Sequence, residues 1–181
     1  FRRVLFRSRS QNPNHITVAA GDLIGASPAT SSLTADEATI EFMNAIGLDV
    51  SAVGNHEFDR GKAELKRIQE GGCATDPRYA AQSCLRSGKF PGAQFRYLAA
   101  NVTDPASGTT LFEPTFVKRF GTVAVGFVGL TLKDTPAATR GAGGLEFAAE
   151  GPVINAHAAA LRRQGVDRSE EHTSELQSRQ Y

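Results

Sequence analysis

The 181-residue sequence predicts an α/β protein, and three observations carry that expectation. Short apolar runs at 16–20, 48–53, 96–100 and 123–130 alternate with helical periodicity near 35–46, 61–70 and 152–164. Two of those runs end in glycine followed by a chemically capable polar residue. No internal repeat or low-complexity linker divides the chain, so its apolar content is available to one core.

Ile16 to Ala20 forms the first apolar run and breaks at Gly21-Asp22. Thr34 with Glu37 three residues later has the spacing of a capping box. Ile40, Met43 and Ile46 then recur at the period of a helix burying one face, and Gly47 ends it. Leu48 to Val53 is the second run, closed by Gly54-Asn55-His56-Glu57. A strand, helix, strand unit joins its strands in parallel, and both strands then end on one rim of the sheet, where open parallel sheets bind ligands. Asp22 and Asn55-His56, distant in sequence, become candidates for one site.

Further along, 61–70 reads as a second helix and Gly71 to Gly88 as a polar interruption. Phe112 to Gly129 reads as a hairpin turning at Phe120-Gly121, and the helix near 152–164 ends at Gly165.

The residue types at the rim suit metal-assisted phosphoryl chemistry. A carboxylate such as Asp22 can bridge two divalent cations, and the Asn55 amide oxygen is a neutral ligand for a second metal. His56 beside them can move a proton or steady a phosphoryl oxygen. Asp59 is placed to accept from the His56 imidazole and fix its tautomer. His15 precedes the first strand and His157 sits within the last helix without ligand-like neighbours, so both read as structural or solvated. Asn101-Val-Thr103 matches a glycosylation sequon but falls at an apolar strand end, where it reads as chance.

Gly21-Asp22-Leu-Ile-Gly-Ala-Ser-Pro28 and Ala52-Val-Gly-Asn55-His56-Glu-Phe-Asp59-Arg-Gly61 resemble the metallophosphoesterase domain of the secreted 5′-nucleotidase family, within the calcineurin-like superfamily. Tyr97-Leu-Ala-Ala-Asn-Val102 and Val125-Gly-Phe-Val-Gly-Leu-Thr131 resemble its core strands, and the likeness runs from about Ile16 to Asp167. It implies a two-sheet sandwich flanked by helices, incomplete at both ends. It also implies two divalent cations, zinc, manganese or similar, as cofactors and a nucleotide as substrate. By the same resemblance Asp22 bridges both metals, Asn55 binds the second, His56 acts on the phosphoryl group and Asp59 orients it. The family's Asp-x-His motif, its later metal-binding histidines and its nucleotide-binding domain have no counterpart in this sequence. The whole enzyme is expected to release phosphate from 5′-nucleotides, and this chain by itself to be inactive. Cyclic-nucleotide or nucleotide-sugar hydrolysis, and a non-catalytic α/β binding module, stand as alternatives.

Cys73 and Cys84 bracket a short loop, a spacing compatible with a disulfide, with two free thiols or with half of a metal site. The family resemblance favours the disulfide, and with it a periplasmic or extracellular location.

The two ends read differently. Back-translation of Phe1 to Ser8 gives DNA whose reverse complement encodes Arg168 to Glu175 codon for codon, and that DNA matches a common short-read sequencing adapter. Residues 1–8 and 168–181 are therefore expected to be adapter-derived, leaving 9–167 as a partial metallophosphoesterase domain, with Arg9-Ser10 and Arg179 to Tyr181 unassigned. Without those tails 15 basic and 16 acidic residues remain, a net charge of −1 in place of +1. Neither a nucleic-acid patch nor a membrane helix is expected. The tails are expected to add neither metal ligands nor a matching strand.

Overall fold

The computed structural model describes residues 2–166 and 168–172. Its helices are α1 (Arg2–Gln11), α2 (Ala29–Ser32), α3 (Glu37–Ala45), α4 (Lys62–Glu70), α5 (Pro77–Ala80), α6 (Thr135–Ala138) and α7 (Glu150–Arg163). Its strands are β1 (Val18–Ala19), β2 (Val50–Ala52), β3 (Arg96–Leu98), β4 (Val102–Asp104), β5 (Thr109–Thr110), β6 (Thr115–Phe120), β7 (Val123–Gly129), β8 (Glu146–Phe147) and β9 (Arg168–His172).

Two sheets form the body. The first has the order β1-β2-β3 with both pairings parallel, as the two crossovers through α3 and α4 require. The second has the order β6-β7-β9, built on the expected hairpin, whose turn Gly121 makes at φ +59°. A small antiparallel sheet, β5-β4-β8, adds a third, unforeseen piece.

Side-chain alternation along the strands sorts the core into layers. On β7, Val125 and Phe127 meet Val50 and Leu98 of the first sheet. Ala124 and Val128 point the other way, onto Leu161 of α7. Between them Gly126 leaves room for α7, since a Cβ there would lie 2.9 Å from Leu161. On β3, Tyr97 joins Ile40 of α3 and Leu65 and Ile68 of α4 on the outer face, while Leu98 faces inward. The result is helices, sheet, sheet, helix, which is the predicted sandwich.

Two expectations fail. Thr34 and Glu37 do not form a capping box: the Thr34 hydroxyl donates to the Ser31 carbonyl, and Glu37 is buried, accepting from Arg67 Nη1 at 2.7 Å and the Cys84 amide at 2.8 Å. The N-cap is Asp36 at φ +63°, whose carboxylate accepts from Ser31 at 2.8 Å. A charged partner and a loop amide together hold the Glu37 carboxylate better than one helix-end amide does. The C-terminal tail does supply a strand, because Arg168–His172 pairs parallel with Val125–Gly129. Ladder pairing uses backbone groups, so a polar segment can complete a sheet edge as readily as an apolar one. At the other end α1 brings Arg9 to the Ile46 and Gly47 carbonyls at the end of α3 and to the Thr17 hydroxyl. Residues 167 and 173–181, with the unassigned Arg179 to Tyr181, lie outside the described residues.

Candidate metal and phosphoryl site

The loops after β1 and β2 touch. A Cβ on Gly21 would lie 2.3 Å from the Gly54 amide nitrogen, and one on Gly54 would lie 2.2 Å from Asp22 Oδ1. Only glycine permits that approach, and Gly21 also adopts φ +98°. Asp22 is itself left-handed, at φ +55°, a conformation that aspartate tolerates better than most side chains.

This contact brings together the residues singled out from sequence. Asp22 Oδ1 accepts the His56 amide at 3.1 Å, so one carboxylate oxygen sits against the peptide that joins Asn55 to His56. Asn55 opens the 3-10 turn His56–Phe58, and its carbonyl accepts the Phe58 amide. His56 Nδ1 lies 2.8 Å from Asp59 Oδ2, with the two side chains 40% and 30% exposed. An Nδ1–H given to that carboxylate leaves Nε2 as the nitrogen able to give or take a proton at the surface. The hydrogen bond to Asp59 raises the imidazole pKa, with the Asp59, Asp22 and Glu57 charges adding and burial opposing. A Cβ on Gly25 would lie 2.3 Å from the His56 carbonyl oxygen and 2.7 Å from Asp59 Oδ2, so that glycine lets the first loop run beneath the pair.

Glu57 was not among the predicted site residues. It is 2% exposed, and its carboxylate accepts three backbone amides: Asp22 at 2.8 Å, Leu23 at 2.7 Å and Gly54 at 2.7 Å. Burial pushes its pKa up to about 7 against the pull of those amides. Asp36 similarly reaches the Gly25 amide at 3.3 Å from the helix side. Glu57 directly follows His56 in a polar turn, so its position in sequence does not distinguish it from a solvated carboxylate.

Asp22 and Asn55 are oxygen donors of the kind divalent cations take. Among the described residues no three His, Cys, Asp or Glu side chains gather as a metal-binding group. The remaining predicted residues fall elsewhere. Cys73 and Cys84 form a disulfide with their Cα atoms 5.5 Å apart. His15 bonds the nearby Asn12 carbonyl. Asn101 is 1% exposed and holds the Thr131 amide and the Thr131 and Ala148 carbonyls, which removes it as a sequon acceptor. No helix among the described residues is long and apolar enough to cross a membrane.

No family model matches the chain. An uncharacterized protein in the pqq-V 5′ region of Acinetobacter calcoaceticus is 47% identical over 123 residues, 67% of this chain and 59% of that protein. The cell wall protein Lmo0130 of Listeria monocytogenes is 35% identical over 160 residues, 85% of this chain and 20% of its own length. The snake venom 5′-nucleotidase of Gloydius brevicauda is 32% identical over 133 residues, 71% of this chain and 19% of its own. The chain thus spans a minor part of the two longer relatives. Among solved structures, the NAD nucleotidase NadN of Haemophilus influenzae superposes with a TM-score of 0.74 at 21% identity, covering 98% of this chain and 28% of that one. The calcineurin-like phosphoesterase YfkN of Bacillus subtilis gives 0.68 at 22% identity, covering 94% and 51%. These two likenesses establish the fold.

Proposed function

We propose that this chain, which has the fold of the calcineurin-like phosphoesterases and is related in sequence to 5′-nucleotidases, is part of a metal-dependent phosphohydrolase that releases phosphate from 5′-nucleotides. The observation that carries the reading is the junction of the two loops, where the Asp22 carboxylate meets the Asn55-His56 peptide beside a histidine braced by Asp59.

In this reading Asp22 and Asn55 are metal ligands, with Asp22 in the bridging position because only a carboxylate offers two anionic oxygens. Divalent cations, when bound, supply charge neutralisation and an acidified water near the phosphoryl group. The chain's own residues orient and move protons. The His56 amide fixes the rotation of the Asp22 carboxylate. Asp59 fixes the His56 tautomer, so that Nε2 can donate to a phosphoryl or leaving oxygen.

Residues 9–167 are taken as the native part of this domain. A periplasmic or extracellular location is supported by the Cys73–Cys84 disulfide and by the cell wall relative. The test is hydrolysis by the longest native form of the protein, with and without a chelator. The panel comprises a 5′-nucleotide, a cyclic nucleotide, a nucleotide sugar and a polynucleotide. Chelator-sensitive release of phosphate from the 5′-nucleotide is expected, and preferential turnover of any other member would replace this substrate assignment.

A further inference from the structure

We propose that Glu57 is a positioning residue, whose buried carboxylate fixes the spacing between the Asp22 carboxylate and the His56 side chain. The inference rests on the phosphohydrolase reading for the roles of Asp22 and His56, and on hydrogen-bond geometry for everything else.

The carboxylate bridges two segments that are far apart in sequence. Oε2 accepts both the Asp22 amide, from the loop after β1, and the Gly54 amide, from the loop after β2. Oε1 accepts the Leu23 amide, one residue beyond Asp22. The residue that presents these oxygens follows His56 directly, so the group locking the first loop is built into the turn that carries the histidine. A shift of Asp22 relative to His56 would have to lengthen at least two of these bonds. Glu57 hydrogen-bonds neither the Asp22 carboxylate nor the His56 ring, so beyond its charge it acts through the backbone.

The position calls for a side chain with two acceptor oxygens. Three N–H groups converge on it, and no lysine or arginine pairs with it among the ion pairs of the described residues. A carboxylate buried without a cation is costly, and backbone N–H groups are what hold it. An amide in its place would turn an NH2 toward at least one of those N–H groups, so glutamine cannot satisfy all three. The left-handed φ of Asp22 is held by the same carboxylate, because relaxing it with the Asp22 amide on Oε2 would swing the Leu23 amide off Oε1.

The test is amide exchange and histidine NMR on the 181-residue chain and its Glu57→Gln variant. Exchange should quicken by about tenfold or more at Asp22, Leu23 and Gly54, the scale of a lost charge-assisted hydrogen bond. It should also quicken at His56, whose amide binds Asp22 and not Glu57, and the His56 ring resonances should move. Amides of Ala124 to Val128 in β7 should keep their protection. Unchanged exchange at His56, or uniform acceleration that includes β7, overturns the proposal. If the variant does not fold, trans-hydrogen-bond couplings to the Glu57 carboxyl carbon decide on the wild-type chain. Couplings from the Asp22 and Gly54 amides are expected, and absence of either overturns the idea. In the longest native form, Glu57→Gln should lower kcat with little change in KM. Should that form show no metal-dependent hydrolysis while the local NMR changes appear, the functional reading fails and the positioning role stands.

Discussion

Gly54→Ala is the sharpest perturbation of the loop junction. The added methyl would lie 2.2 Å from Asp22 Oδ1, 2.7 Å from its Cγ and 2.7 Å from its amide nitrogen. That is roughly 1 Å inside ordinary contact, so either Asp22 or the β2 loop must move. Overpacking of this kind costs about 1–3 kcal/mol. Displacing Asp22 also weakens the charge-assisted bond from His56, for a combined loss of about 3 kcal/mol. For a domain of this size that is roughly 6–12 °C in Tm. Gly151→Ala in the first turn of α7 is the control, because its methyl meets nothing within 4 Å apart from its chain neighbours, and Pro152 beside it offsets the helix preference of alanine, so stability should change little. Thermal and urea unfolding of both variants gives the comparison. A Gly54→Ala loss below about 0.5 kcal/mol, the size of a neutral surface change, would show that the loops are not in the contact described.

Arg67 is 8% exposed and holds Glu37 at 2.7 Å and Glu64 at 2.6 Å. Replacing it with leucine strands two buried carboxylates and should cost about 3–5 kcal/mol in urea unfolding. The oxidised protein should titrate no free thiol, and reducing Cys73–Cys84 should lower stability by roughly 3 kcal/mol from loop closure alone. Residues 9–167 with excess zinc or manganese should show no phosphatase activity above background, since Asp22 and Asn55 alone do not hold a metal pair. Nucleotide hydrolysis by that piece, lost on Asp22→Ala, would show the two donors to be sufficient.

The rim was legible because its logic is local. Apolar runs ending in Gly21-Asp22 and Gly54-Asn55-His56, with one helical period between them, fix a parallel pair and a shared edge. The His56–Asp59 bond follows from three-residue spacing in a tight turn. Glu57 and Glu37 were not legible, because a carboxylate's role depends on whether it is buried, and burial is set by distant partners. Glu57 meets amides 35, 34 and 3 residues away, and Glu37 meets Arg67 and Cys84, 30 and 47 residues away. The capping-box reading of Thr34 and Glu37 failed for that reason. β9 was missed because ladder pairing leaves no apolar signature when a polar segment supplies the strand.

In the proposed site Asp22 holds metal while His56 serves the phosphoryl group. Metal stoichiometry and kcat, measured together on Asp22→Asn and His56→Ala in the longest native form, separate the two roles. Asp22→Asn should lose bound metal and turnover together while keeping its fold, because an amide offers one neutral oxygen where two anionic ones are needed. His56→Ala should keep its metal and lose turnover by about 10²–10⁴-fold, the range of a missing proton donor. Loss of metal from His56→Ala as complete as from Asp22→Asn would contradict the assignment.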